Sequence, residues 1–515
     1  MLPFENLSVS GNDAFFTVGV QEEISAALER VAALKVIGSK STQDYVPKDH
    51  DVPKIARELG VTYVLAGSVW RDAGQLRVTA RLIDSARTEP VWTSTYERPL
   101  PELFAVRREI VSAVAGRMNV RLSEAEMADL ARVPTQNMEA YDFLLRARQT
   151  RRSAATPAGM RKLVAERIAY GEQAVARDPN FALAWHDLAR AHAGWYSIRA
   201  GATPEEVAVD HRALAEKALE AARRLDPGSA DLDVTEAAYH VRVTHDMARA
   251  GVAADRALKR LPNDVAAAEM AGRVAVTEGR WVDALRSYER GRALAPNRIA
   301  LRLDLAETYR LLRRYSDFDA VIGEMMAICK CSGNLSLDRA KGPLDSHGDL
   351  VPMRTAVAAL ANAGTLDPDD RDWTSIVFAL YERNADALDG ALDQSARERF
   401  DMAGAPTPKA WFRAFAARFR GDAEGVQRSL TEARTDVESS LASEPGNARA
   451  LGLLALIDAG LGRTDDAVNE ARRACDLTAK SAPDRPIAAS DLAAVYAWTG
   501  QTDMAFATLQ RLVSQ

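Results

Sequence analysis

Residues 262–296 read PNDVAAAEMAGRVAVTEGRWVDALRSYERGRALAP. The two prolines that close this stretch, Pro262 and Pro296, lie 34 residues apart, long enough for two helices and their turns. Small residues, Gly272 and Ala284, fall where two antiparallel helices must cross, and Tyr288 takes the large position of the second helix. Antiparallel helices come close only when small side chains sit at the crossing, and a proline stops the second helix before the next turn.

The same arrangement recurs on either side of this stretch. After Pro296 come Leu305, Ala306 and Tyr309, and after Pro179 come Trp185, Leu188, Ala189 and His192. The second helix of that latter unit carries Ala215, Leu219 and Ala222 and stops at Asp226-Pro227. The unit is about a dozen residues too long, so residues 196–206 read as an inserted loop. After Pro445, Leu454, Ala455, Gly462, Ala467 and Ala474 fit, and the last unit shows Leu492, Ala493, Tyr496, Gly500 and Ala505. The period and the small-residue positions resemble tetratricopeptide repeats, about seven or eight of them with several degenerate, across 139–330 and 351–515. Residues 330–350 and 401–408, rich in Gly, Ser, Asn, Asp and Pro, read as loops that interrupt the array.

Such a stack buries a continuous core and leaves a surface lined by the first helix of each pair, which typically binds extended or helical peptide segments. The candidate contacts on that surface are His186, Arg190 and Arg302. Trp185 and Tyr309 occupy packing positions of the repeat and read as core.

The first 130 residues change period from segment to segment. Phe16, Val20, Ile24, Leu28 and Val31 make one face of a helix over 14–32, and residues 34–38 read as a short strand. Asp51 can cap a short helix that runs to Leu59, with Gly60 ending it. Strands are expected over 61–69, 75–84 and 89–97, the second with Leu76, Val78, Ala80 and Leu82 on one side, followed by a helix over 101–118. Helices covering one face of that sheet make a compact α/β layer domain, joined to the repeats through 131–138 with Pro134.

Leu2-Pro3-Phe4-Glu5-Asn6-Leu7-Ser8 resembles the opening of the TolB-like amino-terminal domain of the FlgO type. The resemblance continues through Glu22-Glu23-Ile24, Leu34-Lys35-Val36-Ile37, Glu58-Leu59-Gly60-Val61, Val64-Leu65-Ala66-Gly67-Ser68-Val69, Leu82-Ile83-Asp84, Val91-Trp92 and Leu103-Phe104-Ala105. It covers about the first 125 residues. The family implies a Val/Ile-rich segment before Leu2, which would complete the first strand and is absent from this sequence. It also implies an accessory, non-catalytic role, downstream of class III cyclase domains, serine/threonine kinase domains or winged-helix regulators.

Composition and motifs fit that role. The chain is 47% apolar and 27% charged with a net charge of −6, and its arginines, such as Arg152, Arg223, Arg224, Arg313 and Arg314, are interspersed with acids, so no basic face for nucleic acid is expected. No run of about 18 apolar residues suggests a spanning helix. Cys329, Cys331 and Cys475 are too few and too isolated for a disulfide framework or a zinc site. Asp49-His50-Asp51 reads as loop and cap, and Asp367, Asp369, Asp370 and Asp372 lack the calcium-loop spacing. Lys40-Ser41-Thr42 lacks the glycines of a phosphate loop, and His211 and His240 read as helix-face residues.

The expected function is therefore a non-catalytic protein-interaction scaffold or regulatory module in bacterial signalling, with a protein or peptide partner and no cofactor or metal. The alternative is the downstream portion of a larger cyclase or kinase whose catalytic domain lies before Met1. A cytoplasmic location is expected for the sequence as it stands, or a periplasmic or membrane-tethered one if an anchor precedes it. A third reading, an envelope-associated role, rests on the TolB-like resemblance alone.

Overall fold

The computed structural model describes all residues except 9–13, 38–41, 43–51, 87–89, 151–156, 199–205, 207, 329–331, 367, 403–404 and 514–515. The chain divides into two compact units, one of Met1–Ala275 with Val282–Leu305 and the other of Val276–Trp281 with Ala306–Gln515.

The first unit opens with a four-stranded sheet in the order β1 (Glu5–Asn6), β2 (Tyr63–Asp72), β3 (Gln75–Asp84), β4 (Pro90–Pro99). β1 runs parallel to β2, with Glu5 beside Ser68, and the other pairs are antiparallel. Alternation in β3 puts Leu76, Val78, Ala80 and Leu82 on one face, where they pack with α1 (Ala14–Glu29) and α3 (Leu103–Arg117). The opposite face is partly covered as well: Ile55 and Ala56 of α2 (Val52–Leu59) bury Leu2 and Val64. Phe4 lies over Gly67, where a β-carbon would overlap the Thr79 carbonyl oxygen and the Phe4 ring. The opening Leu-Pro-Phe and the Ala-Gly-Ser of β2 are thus two halves of one contact.

The strand expected at 34–38 does not form in its described part. Leu34 and Ile37 are buried, but the backbone there is bonded from outside the sheet, by the Asn263 side-chain amide donating to the Leu34 carbonyl at 2.6 Å. The apolar run is a core segment without a strand neighbour.

After α4 (Glu124–Ala131), which Ser123 and Glu126 start with a reciprocal capping box, twenty helices follow among the described residues, where the sequence pattern gives seven or eight two-helix units. The first nine are α5 (Met138–Gln149), α6 (Pro157–Arg177), α7 (Ala182–Ser197), α8 (His211–Leu225), α9 (Ala230–Tyr239), α10 (Met247–Arg260), α11 (Val265–Thr277), α12 (Trp281–Leu294) and α13 (Ile299–Leu311); they belong to the first unit except for the end of α11, Trp281 and the part of α13 from Ala306 on. A π-helical turn, His240–Thr244, extends α9 and ends at His245 in the left-handed region. At the α11–α12 crossing the Tyr288 ring lies directly on Gly272, so a small and a large position read from the sequence meet there. Most of the inserted loop expected at 196–206 lies outside the described residues.

No break in packing marks residue 130. One cluster of buried side chains runs from Phe4 through Phe104, Tyr141 and Leu188 to Val243, so the α/β layer and the first helix pairs share a core. Ion pairs reinforce the joint. Glu23 of α1 accepts from Arg107 of α3 at 3.1 Å and from Arg148 of α5 at 2.7 Å, and Arg30 pairs with Asp129 at 3.2 Å and Asp231 at 2.5 Å.

The second unit continues with α14 (Tyr315–Ile328), α15 (Ser332–His347), α16 (Val351–Asn362), α17 (Pro368–Tyr381) and α18 (Ala385–Gln394). It ends with α19 (Lys409–Arg420), α20 (Ala423–Ser443), α21 (Ala448–Gly460), α22 (Thr464–Thr478), α23 (Arg485–Trp498) and α24 (Thr502–Val513). Two loop expectations are corrected here. Residues 332–347 are helical despite Pro343, because Leu337 and Ala340 gain a buried face against Met353 and Leu360 of α16. Within 401–408 the described residues are extended, not looped: β5 (Arg399–Met402) pairs antiparallel with β6 (Ala405–Pro408), and Phe400 lies against Phe412 with the ring centroids 5.6 Å apart.

Candidate functional site

The three residues expected at a binding surface occupy different environments. His186 of α7 is fully buried, because α9 packs over it. Its Nδ1 lies 3.1 Å from Thr235 Oγ1, whose own proton goes to the Asp231 carbonyl, so Nδ1 donates and Nε2 is left buried without a hydrogen-bond partner. Burial holds this imidazole neutral, with its pKa lowered to about 4. Arg302 is also buried, at 5% exposure. Neither presents itself to a partner. Arg190 remains half-buried, 3.6 Å from the Asp187 carboxylate, which Arg167 of α6 also holds at 2.9 Å. Trp185 packs against the shared core as expected and donates its indole N–H to the Pro179 carbonyl at 2.9 Å, while Tyr309 is half-buried beneath the Arg314 guanidinium.

The structure assembles a different set. On the π turn, α11 and the start of α13, three guanidiniums surround one carboxylate. Glu269 accepts from Arg298 at 2.5 Å and lies 3.4 Å from both Arg242 and Arg273. Arg273 also pairs with Asp304 at 3.0 Å. The Glu269 side chain is 2% exposed, whereas those of Arg242, Arg273 and Arg298 are 22%, 33% and 34% exposed, so the anion is inside and the cations form the rim. Burial alone would raise the Glu269 pKa, but Arg298, Arg273 and Arg242 outweigh it and bring it below the usual carboxylate range. Asp304 is shifted upward, by burial first and by Glu269, against the pull of Arg273. Arg242 is pushed down to about 10, by burial and then by Arg273, only partly relieved by Glu269.

A second titratable cluster sits deeper. His192 and His211 face each other with their Nδ1 atoms 2.9 Å apart, one donating and one accepting, and Trp195 stacks on His211 at 4.0 Å. Burial lowers His192 to about 4, helped by His211, and burial lowers His211 against the opposing Asp210. Folded values below the unfolded 6.5 mean that the unfolded chain takes up protons first as pH falls. The contribution of the pair is therefore complete above about pH 6.5 and is lost toward pH 4, on the order of 2 kcal/mol. Glu29, raised to about 7 by burial, acts with the opposite sign, so the variant comparison isolates the imidazoles. The Tm is expected to fall less between pH 7 and pH 4.5 in His192→Gln than in the wild type, as read by scanning calorimetry; equal falls would remove the pair from the account.

Asp49, His50, Asp51, Lys40, Ser41, Cys329, Cys331 and Asp367 lie outside the described residues. Among the described residues no group of three or more His, Cys, Asp or Glu side chains is placed to hold a metal ion, and no helix is long and apolar enough to cross a membrane. His240, read as a helix-face residue, sits in the π turn with Nδ1 3.0 Å from Thr244 Oγ1.

No protein-family model matches the chain. Over 149 residues, 29% of its length, it is 37% identical to a protein of Rhizobium meliloti (strain 1021) named Putative adenylate cyclase 3. That match takes in 25% of the relative, so the chain spans about a quarter of the length of the curated protein it matches. Among solved structures, the human IFIT1 dimer with m7Gppp-AAAA aligns with 74% of this chain and 78% of its own, at a TM-score of 0.37 and 13% identity. The human IFIT1 dimer with PPP-AAAA aligns with 74% and 80%, at a TM-score of 0.36 and 12% identity. The chain is an array of paired helices behind a small amino-terminal sheet, and part of it is similar to a protein named as an adenylate cyclase.

Proposed function

We propose that this chain is a non-catalytic regulatory module of bacterial signalling, which docks a protein partner on the faces of its paired helices. The observation that carries the proposal is the 37% identity over 149 residues to a protein named as a cyclase, in a chain most of whose described residues form helix pairs. Repeated helix pairs present broad preformed surfaces, on which a few anchor residues set the affinity. The contact between Phe4 and Gly67 joins two of the segments that resemble the TolB-like domain and supports such a layer over residues 1–130, and the succession of helices supports repeats over 139–330 and 351–515. A second reading, the downstream regulatory portion of a larger cyclase, is favoured by the match lying within a longer protein of that name.

The test uses the full chain. Incubated with ATP or GTP and a divalent cation, it is expected to form no cyclic nucleotide. Used as bait in a native lysate, it is expected to retain one stoichiometric protein that elutes with salt. Cyclic nucleotide made by the chain alone would overturn the non-catalytic reading, and recovery of abundant chaperones alone would overturn the docking.

A further inference from the structure

We propose that the outer edge of β4 pairs antiparallel with the same edge of a second copy of this chain, joining two four-stranded sheets into one. This goes beyond the interaction-module reading, because the partner is another copy and the sheet meets it. β4 ends the sheet, and among the described residues β3 is its one strand neighbour. It is ten residues long, whereas β1 at the opposite edge has two. A long open edge presents a row of backbone donors and acceptors, and proteins that keep such an edge single blunt it with charge, proline or a bulge. In β4 those features stand at the ends: Pro90 and Pro99, Glu97 and Arg98, and the register shift between Leu82 and Ile83 opposite its start. Val91-Trp92-Thr93-Ser94-Thr95-Tyr96 between them holds no charge, proline or glycine, and all but Ser94 favour strands.

The edge is complementary to its own reverse. A two-fold axis through Ser94, perpendicular to the sheet, keeps residues of like face opposite each other. It sets Trp92 against Tyr96, and Thr93 against Thr95, each twice across the axis. Trp92 and Tyr96 stand opposite Leu82 and Val78 of β3, on the inner side, and are only partly buried against the core. Pairing covers them with an aromatic neighbour, a cross-strand contact that stabilises sheets. On the other face Thr93 and Thr95 are exposed. Thr95 Oγ1 already lies 3.1 Å from Thr79 Oγ1, so the row of hydroxyls continues across the axis. Glu97, held by Arg77 at 2.5 Å, comes opposite Val91, and Arg98 comes opposite Pro90, where the ladder ends. The two-residue β1 is too short an edge to continue the sheet, so assembly closes at two copies.

Sedimentation equilibrium of the full chain is expected to give a mass that rises with concentration from one chain toward two. Thr93→Glu combined with Thr95→Glu sets like charges opposite each other and is expected to weaken the association by about tenfold or more. Thr93→Glu combined with Thr95→Lys sets opposite charges across the axis and is expected to restore it. Both positions are exposed, so the circular dichroism of both double variants should match the wild type. Ser94→Cys meets itself at the axis. Under mild oxidation it is expected to give a reducible disulfide-linked dimer, above the background that Cys329, Cys331 and Cys475 set in the wild type. A single-chain mass at every concentration, or association left intact by the double-glutamate variant, would overturn the pairing. So would a species larger than two copies, no recovery in the charge-swapped variant, or no dimer from Ser94→Cys. Capture of a lysate protein by the helix array does not depend on these outcomes, so the two readings fail separately.

Discussion

Gly67→Val is expected to leave little folded protein. A β-carbon at this position would run first into the cross-strand Thr79 carbonyl and next into the Phe4 ring. A flexible side chain can move aside, but a carbonyl fixed in the β2–β3 ladder cannot do so without breaking the register that pairs Ser68 with Thr79. Overpacking of a filled core costs about 1–3 kcal/mol and more when backbone must shift, so this variant belongs at or above the upper end. Against a total stability of roughly 5–15 kcal/mol for a typical domain, that is a large share. Urea unfolding would show a lowered midpoint, with Gly67→Ala in between. Pairing Gly67→Ala with Phe4→Leu should recover part of the loss, since the two positions touch and their effects should not add. A wild-type midpoint in Gly67→Val would refute the packing described.

Glu23→Ala is expected to cost about 3–5 kcal/mol, the usual penalty for stranding a buried charge. Its carboxylate is the one anion bonded to both Arg107 and Arg148, whose side chains are 10% and 15% exposed. Arg107 keeps the Leu130 and Arg132 carbonyls at 3.3 and 3.1 Å, but these neutral acceptors do not replace a full negative charge. Glu23→Gln keeps the shape and should lose less, and adding Arg148→Met to Glu23→Ala should restore some stability by removing one stranded cation. Thermal melts of the four proteins give the comparison, and a loss below about 1 kcal/mol for Glu23→Ala would place the cluster with exposed surface pairs.

The repeat architecture was legible because its determinants are local in sequence and rigid in spacing. Gly272 and Tyr288 sit in one 34-residue unit, and they pack against each other. The misread segments were those in which distant residues decide the structure. Leu34 to Ile37 looks like a strand until Asn263 takes its carbonyl, and 332–347 looks like a loop until α16 buries its apolar side. His186 has the spacing of a surface residue on α7, but its environment is set by Thr235 of another pair. The arginine cluster escaped notice because Arg242, Arg273 and Arg298 each look like one more solvated helix residue. Their common partner, Glu269, identifies them only once the helices are side by side. An acid falling on the inward face of an alanine-rich helix was the one available clue.

The cluster of buried side chains that passes residue 130 without interruption also governs how the molecule can be cut. Cleavage there would not separate two finished pieces. It would leave Tyr141, Leu144 and Leu188 as a raw oily wound on the helical fragment, prone to clumping.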